Sequence, residues 1–123
     1  MRTALILAAL ALGLIAVADL TPALALEQTG IVAWYGNPFH GNATASGDRF
    51  RADTLTIAHK YLPFGAQVRI TNLANGRSVK ARVNDRGPRH AGRIADVSYQ
   101  AAKDLGFVRQ GVTRVRLELL SLR

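Results

Sequence analysis

Apolar residues recur at every second position in short runs, and turn residues stand between the runs. That pattern narrows the fold more than any other feature, because period-two alternation belongs to strands with one buried face. Gln67–Thr71 sets Val68 and Ile70 on one face. Ser78–Val83 sets Val79, Ala81 and Val83 against Lys80 and Arg82, and Asn75-Gly76 between the two runs is a strong hairpin signal. Ile31–Tyr35 is rich in β-formers. Leu55–Ala58 and Ile94–Val97 read as short strands, and Val112–Leu120 sets Val115, Leu117 and Leu119 opposite Arg114, Arg116 and Glu118. Ser98 can cap a helix over Tyr99–Leu105, with Gly106 just beyond its end. Glu27–Thr29 reads as a short lead-in. The class is all-β, and so many short strands with one short helix predict a small barrel rather than an open sheet.

Ahead of this region, Met1–Ala25 has the parts of a removable export signal. Arg2 supplies the positive start, Leu5–Val17 is an uncharged apolar run, and Ala23-Leu24-Ala25 follows the helix-breaking Pro22 with small residues for cleavage. The alternative is a membrane anchor, but the run is shorter than the roughly 20 residues a crossing needs. The segment is therefore expected to leave after Ala25, with residues 26–123 as one small domain. That domain is expected to be exported, periplasmic or secreted, with no stable membrane anchor. The chain has no cysteine, which rules out thiol, zinc-thiolate and iron–sulfur chemistry and lipidation through an N-terminal cysteine. A modest core without disulfides must draw its stability from a well-paired sheet. One base (Arg2) and one acid (Asp19) lie in the export segment, so the net charge of +8 persists after cleavage. Such a surface attracts polyanions, or is merely solvated. Export argues against nucleic acid as the partner and leaves acidic lipid headgroups and anionic wall polymers.

Few residues can carry catalysis. Glu27 is in the lead-in, Glu118 on an outward strand face, Asp104 near a helix end, and Asp53 and Asp96 fit turn or capping roles. Asp48, after the long loop Gly36–Gly47, and Asp85, at the end of a strand before Arg86-Gly87-Pro88, remain. A carboxylate at a strand end is rigidly held yet faces open space, which suits a general acid or base. Asp85 could equally cap the Gly-Pro turn or pair with Arg86. His59 titrates near neutral pH but could be a structural hydrogen-bonder. His40 and His90 are isolated, so no metal site is predicted, and no cofactor. Trp34, Tyr35 and Phe39 could offer a sugar-stacking platform, with at most one of the adjacent Trp34 and Tyr35 free of the core.

Trp34-Tyr35-Gly36, Phe39-His40-Gly41, Thr44-Ala45-Ser46-Gly47, Ala58-His59-Lys60, Leu62-Pro63, Val68-Arg69-Ile70-Thr71-Asn72, Asn75-Gly76-Arg77-Ser78 and Val83-Asn84-Asp85-Arg86-Gly87-Pro88 recur in that order in a known family. Together they resemble the rare lipoprotein A (RlpA) family of septal-ring lytic transglycosylases, from about Gly30 to Leu120. The resemblance implies a six-stranded double-psi β-barrel. It also implies cleavage of the β-1,4 bond between N-acetylmuramic acid and N-acetylglucosamine in peptidoglycan glycan strands. No water is consumed, and 1,6-anhydro-muramic ends remain. One acid/base can serve both steps, first protonating the glycosidic oxygen and then accepting the C6 hydroxyl proton. By the family's motifs, Asp85 is that group, His59 and Asp48 position the sugar or tune it, and Tyr35, Thr44, Asn84 and Arg86 bind substrate. The protein is expected to act as a monomer without a cofactor.

This sequence departs from the pattern at Asp48, where the family usually has Glu. The shorter reach by about 1.5 Å bears on catalysis, since small displacements of catalytic groups are costly. The sequence also shows no lipidation cysteine and no C-terminal SPOR repeat, so septal recruitment has no support from it. Two alternatives remain on the same barrel: a non-catalytic, expansin-like glycan-binding module, and a secreted inhibitor or effector.

Overall fold

The computed structural model describes residues 27–36 and 41–123. The export segment, Phe39 and His40 lie outside the described residues. Six strands and one helix follow in chain order: β1 Glu27–Tyr35, β2 Thr56–His59, β3 Gln67–Asn72, β4 Ser78–Asp85, β5 Ala95–Ser98, α1 Tyr99–Leu105 and β6 Val112–Ser121. They close into a barrel in the order β1-β5-β2-β4-β3-β6. Closure removes free sheet edges, which a small domain without disulfides would otherwise expose. The β3–β4 hairpin forms about the Asn75-Gly76 turn, with Val68 opposite Ala81 and Ile70 opposite Val79. Ser98 caps α1 by accepting the Ala101 N–H, and Gly106 takes φ 78° so that its own N–H reaches the Ala102 and Lys103 carbonyls.

The core is the inward face of these alternating strands. Val32, Ile57, Val68, Ile70, Val83, Val97, Val115 and Leu117 are buried with Leu105 and Phe107 from the helix end. One sequence expectation fails here. Glu27–Thr29 is not a lead-in but the start of β1, pairing antiparallel with β6 from Glu27 opposite Glu118 onward. Its polar residues hid the strand, because β6 supplies the pairing from the far end of the chain.

The register of β2 matters most for the site. Ile57 stands opposite Val83 of β4, but Ala58 stands opposite Asp85, so the ladder skips Asn84. A bulge of this kind re-aims the side chains that follow it. Val83 and Asn84 are consecutively buried, and Asp85 emerges half-exposed. On its other side, Ala58 stands opposite Asp96 of β5, which in turn faces Ala33 of β1.

Candidate active site

Directly opposed residues on neighbouring strands share a sheet face. Asp85, Ala58 and Asp96 therefore lie side by side on the outer face of the barrel. Two strand spacings separate the Cα atoms of the aspartates, or about 10 Å, with only a methyl group between. These three residues line a groove of about 500 Å³, together with Trp34, Tyr35, Thr44 and Arg86. Its size and its mix of aromatic and charged walls suit a small-molecule or sugar ligand.

The first carboxylate is pinned at one oxygen. Asp85 Oδ1 accepts the N–H of Ala45 at 2.9 Å and that of Arg86 at 2.8 Å, while Oδ2 has no partner among the described residues. Gly87 makes the exit from β4, with φ 128° in a region closed to ordinary side chains. Across from it, the Thr44–Asp48 turn is tied to β4 by the Ala45 bond and by Ser46 N–H donating to the Asn84 carbonyl at 3.2 Å. Within the turn, the Thr44 N–H and Oγ1 both donate to the Asp48 carbonyl, at 2.7 and 2.8 Å.

Asp96 is the second carboxylate, and the sequence reading assigned it only to a turn or cap. Burial pushes its pKa up, against the opposing charge of Arg93, whose Nη1 donates to Asp96 Oδ1 at 3.3 Å. Tyr35 ties the pair together electrostatically. Burial raises its phenol above the ordinary value, and the charges of Asp85 and Asp96 both add to that rise. Tyr35 packs on Phe50 with ring centroids 4.6 Å apart. Trp34 donates its Nε1–H to the Val108 carbonyl at 3.1 Å and meets Tyr99 edge-on at 5.3 Å. Both rings border the groove, but Trp34 stands opposite the buried Val97 and packs against the core, whereas Tyr35 does not, as the alternation rule expects.

Of the residues singled out from the sequence, Asp85, Tyr35, Thr44 and Arg86 come together in the groove. Asp48, His59 and Asn84 do not. Asp48 turns its carboxylate outward to Arg82, whose Nη1 donates to Oδ2 at 3.0 Å, and it holds the turn through its backbone. Asn84 is the bulged residue, buried behind the groove, with Oδ1 unpartnered among the described residues. His59 follows Ala58 on the strand and so points to the opposite, inner face, where it is 1% exposed. The signal that could have found Asp96 was its alternation against Ala95 and Val97, both buried, which leaves Asp96 on the outer face. Among the described residues no cluster of acidic residues and histidines could hold a metal ion. Nor is any described helix long and apolar enough to cross a membrane.

A family model described as lytic transglycolase matches residues 27–117. The chain belongs to that family. An endolytic peptidoglycan transglycosylase RlpA from Neisseria meningitidis serogroup A is 54% identical over 91 residues, covering 74% of this chain and 38% of its own length. The lytic transglycolase domain thus spans less than two-thirds of that relative. Among solved structures, the Streptomyces papain inhibitor superposes with a TM-score of 0.63 at 21% identity, over 76% of this chain and 94% of that one. The apo expansin of Clavibacter michiganensis does so with 0.62 at 19% identity, over 77% of this chain and 50% of that one. At such identities the likeness speaks to fold alone. The fold is the double-psi β-barrel expected from the sequence motifs.

Proposed function

We propose that the groove cleaves the β-1,4 bond between N-acetylmuramic acid and N-acetylglucosamine in peptidoglycan strands, leaving 1,6-anhydro-muramic ends. The protein would act as an exported monomer in the compartment that holds peptidoglycan. What carries the reading is the pair of carboxylates that flank Ala58 on one barrel face, in a chain of this family.

The pair divides the acid and base work that the sequence reading gave to Asp85 alone. Asp96, held by Arg93 at 3.3 Å and with its pKa raised by burial, is the proposed donor of a proton to the glycosidic oxygen as the bond to C1 of the muramic residue breaks. The C6 hydroxyl oxygen of the same sugar closes on C1, and its proton passes to the open Oδ2 of Asp85. Atoms balance without water. The two carboxylates then differ by one proton from where they began, and a proton exchange with solvent restores them. Arg86 and Thr44 line the wall beside Asp85, and Trp34 and Tyr35 offer ring faces and edges to the sugars.

The test is product analysis. The protein, with its Asp85→Ala and Asp96→Asn variants, is incubated with sacculi and with glycan strands stripped of stem peptides. Mass spectrometry then reads the ends. Anhydro ends from the wild type and from neither variant support the assignment. If no form yields them while all sediment with sacculi, the expansin-like binding module replaces the enzyme.

A further inference from the structure

Arg86 forms part of the groove wall next to Asp85, and its own position depends on a turn that the groove does not include. Its Nη1 donates to the carbonyls of His59 at 3.3 Å and Leu62 at 2.7 Å, and its guanidinium carbon lies 4.0 Å over the centre of the Phe64 ring. The two carbonyls belong to the segment His59–Leu62. That segment is closed by the His59 ring, whose Nδ1 accepts the N–H of Tyr61 at 3.2 Å and of Leu62 at 3.1 Å.

Backbone amides can only donate, so Nδ1 must be bare and the ring proton must sit on Nε2. There it is 2.9 Å from Gln28 Oε1, which accepts it. Gln28 comes from the first residues of β1, far from His59 in sequence. Tyr61 closes the remaining side, edge-on to the imidazole with centroids 4.6 Å apart. Every polar atom of a buried ring is thus committed to holding a turn.

We infer that His59 is a positioning residue: its neutral imidazole staples the Tyr61 and Leu62 amides and so shapes the carbonyl seat that fixes Arg86 beside Asp85. The ring never touches substrate. Its burial, together with the charges of Arg86 and Lys60, pushes its pKa down to about 4, which keeps it in the neutral form the staple requires. Only the activity consequence rests on the proposed function; the staple and seat do not.

Two isosteres separate this role from that of an ordinary core histidine. An Asn side chain offers an acceptor at the place of Nδ1 and closes the same kind of turn. A Gln side chain reaches the place of Nε2 and Gln28 but leaves the two amides without an acceptor. NMR of the protein without glycan gives the first readout. Long-range nitrogen–proton spectra should find a single neutral Nε2–H tautomer, and the Arg86 guanidinium should give a distinct, slowly exchanging signal. In His59→Asn both the Arg86 signal and slow exchange at Tyr61 and Leu62 should persist. In His59→Gln both should be lost, with amide exchange faster by about tenfold, the equivalent of one or two neutral hydrogen bonds. An Nδ1–H tautomer in the wild type, which needs no variant to fold, overturns the inference. So does an unchanged Arg86 signal in a folded His59→Gln.

Glycan-strand affinity gives the second readout. His59→Gln should weaken it about tenfold alone and less than about twofold in an Arg86→Ala background, because residues acting through one another are not additive. Equal losses in both backgrounds overturn the inference. A protein with the expected NMR signals but no glycan affinity or anhydro product refutes the proposed function and leaves the staple standing.

Discussion

The Thr44–Asp48 turn and the end of β5 each bring an aspartate to the neighbourhood of Asp85, and they leave those aspartates with opposite properties. Both pair with an arginine, Asp48 with Arg82 at 3.0 Å and Asp96 with Arg93 at 3.3 Å, but Asp48 sits on an exposed turn with its side chain 48% exposed. Asp96 projects from a paired strand, is 22% exposed, and is flanked on the two neighbouring strands by alanines that leave it little solvent. The difference teaches that a carboxylate's chemistry is set by what the sheet packs around it. Asp48 has the surroundings of a turn-former, whereas the greater burial of Asp96 raises its pKa, the property on which its proposed role as proton donor rests.

The largest effect that would sharpen this contrast is on turnover. Replacement of Asp96 by Asn, or of Asp85 by Ala, should lower the release of anhydro ends by about 10²–10⁴-fold. The Asn variant should at the same time melt higher at neutral pH. A folded-state pKa raised by burial means that the ionised form costs stability above that pKa, and Asn carries no such charge. A lower melting temperature for Asp96→Asn would break the comparison from the Asp96 side.

A second test fills the space between the two aspartates without touching either. Ala58→Leu should weaken binding to glycan strands by about tenfold or more, since displaced ligands lose reactivity steeply. Ala58 is itself only 4% exposed, so the larger side chain should also cost about 1–3 kcal/mol of stability, and binding is compared below the variant's melting temperature. Binding equal to wild type would mean that the sugar does not cross Ala58.

Smaller, and on the opposite face, is the pH response of His59. Its pKa falls to about 4 in the fold, against roughly 6.5 in an unfolded chain. Between those values the unfolded state holds more protons, so stability should fall as pH drops through that window, by on the order of 2 kcal/mol. Urea midpoints across the window measure it, and His59→Asn should remove most of the slope.

The smallest effect belongs to Asp48. Asp48→Asn should change turnover by less than about threefold and stability by less than about 1 kcal/mol, as for other exposed ion pairs. Turnover reduced as severely as by Asp96→Asn would make Asp48 a member of the catalytic set and erase the contrast.

Much of the scaffold was legible before any coordinates. The Asn75-Gly76 hairpin and the Ser98-capped helix ending at Gly106 follow from local chemistry, since a turn's φ angles and a helix's orphan N–H groups are satisfied by residues a few positions away. The emergence of Asp85 at a strand end followed from the Val79, Ala81, Val83 alternation and the Gly-Pro exit. Only the tertiary structure decided which groups share the groove. Asp96 reaches it because β5 lies between β1 and β2 in the barrel order, and Asn84 leaves it because a bulge shifts β4 by one residue against β2. His59 turns inward because its neighbour Ala58 faces outward, a choice that pairing with remote strands makes and that no local pattern encodes. Burial, and with it the proton affinity of Asp96, is a property of contacts between segments far apart in the chain.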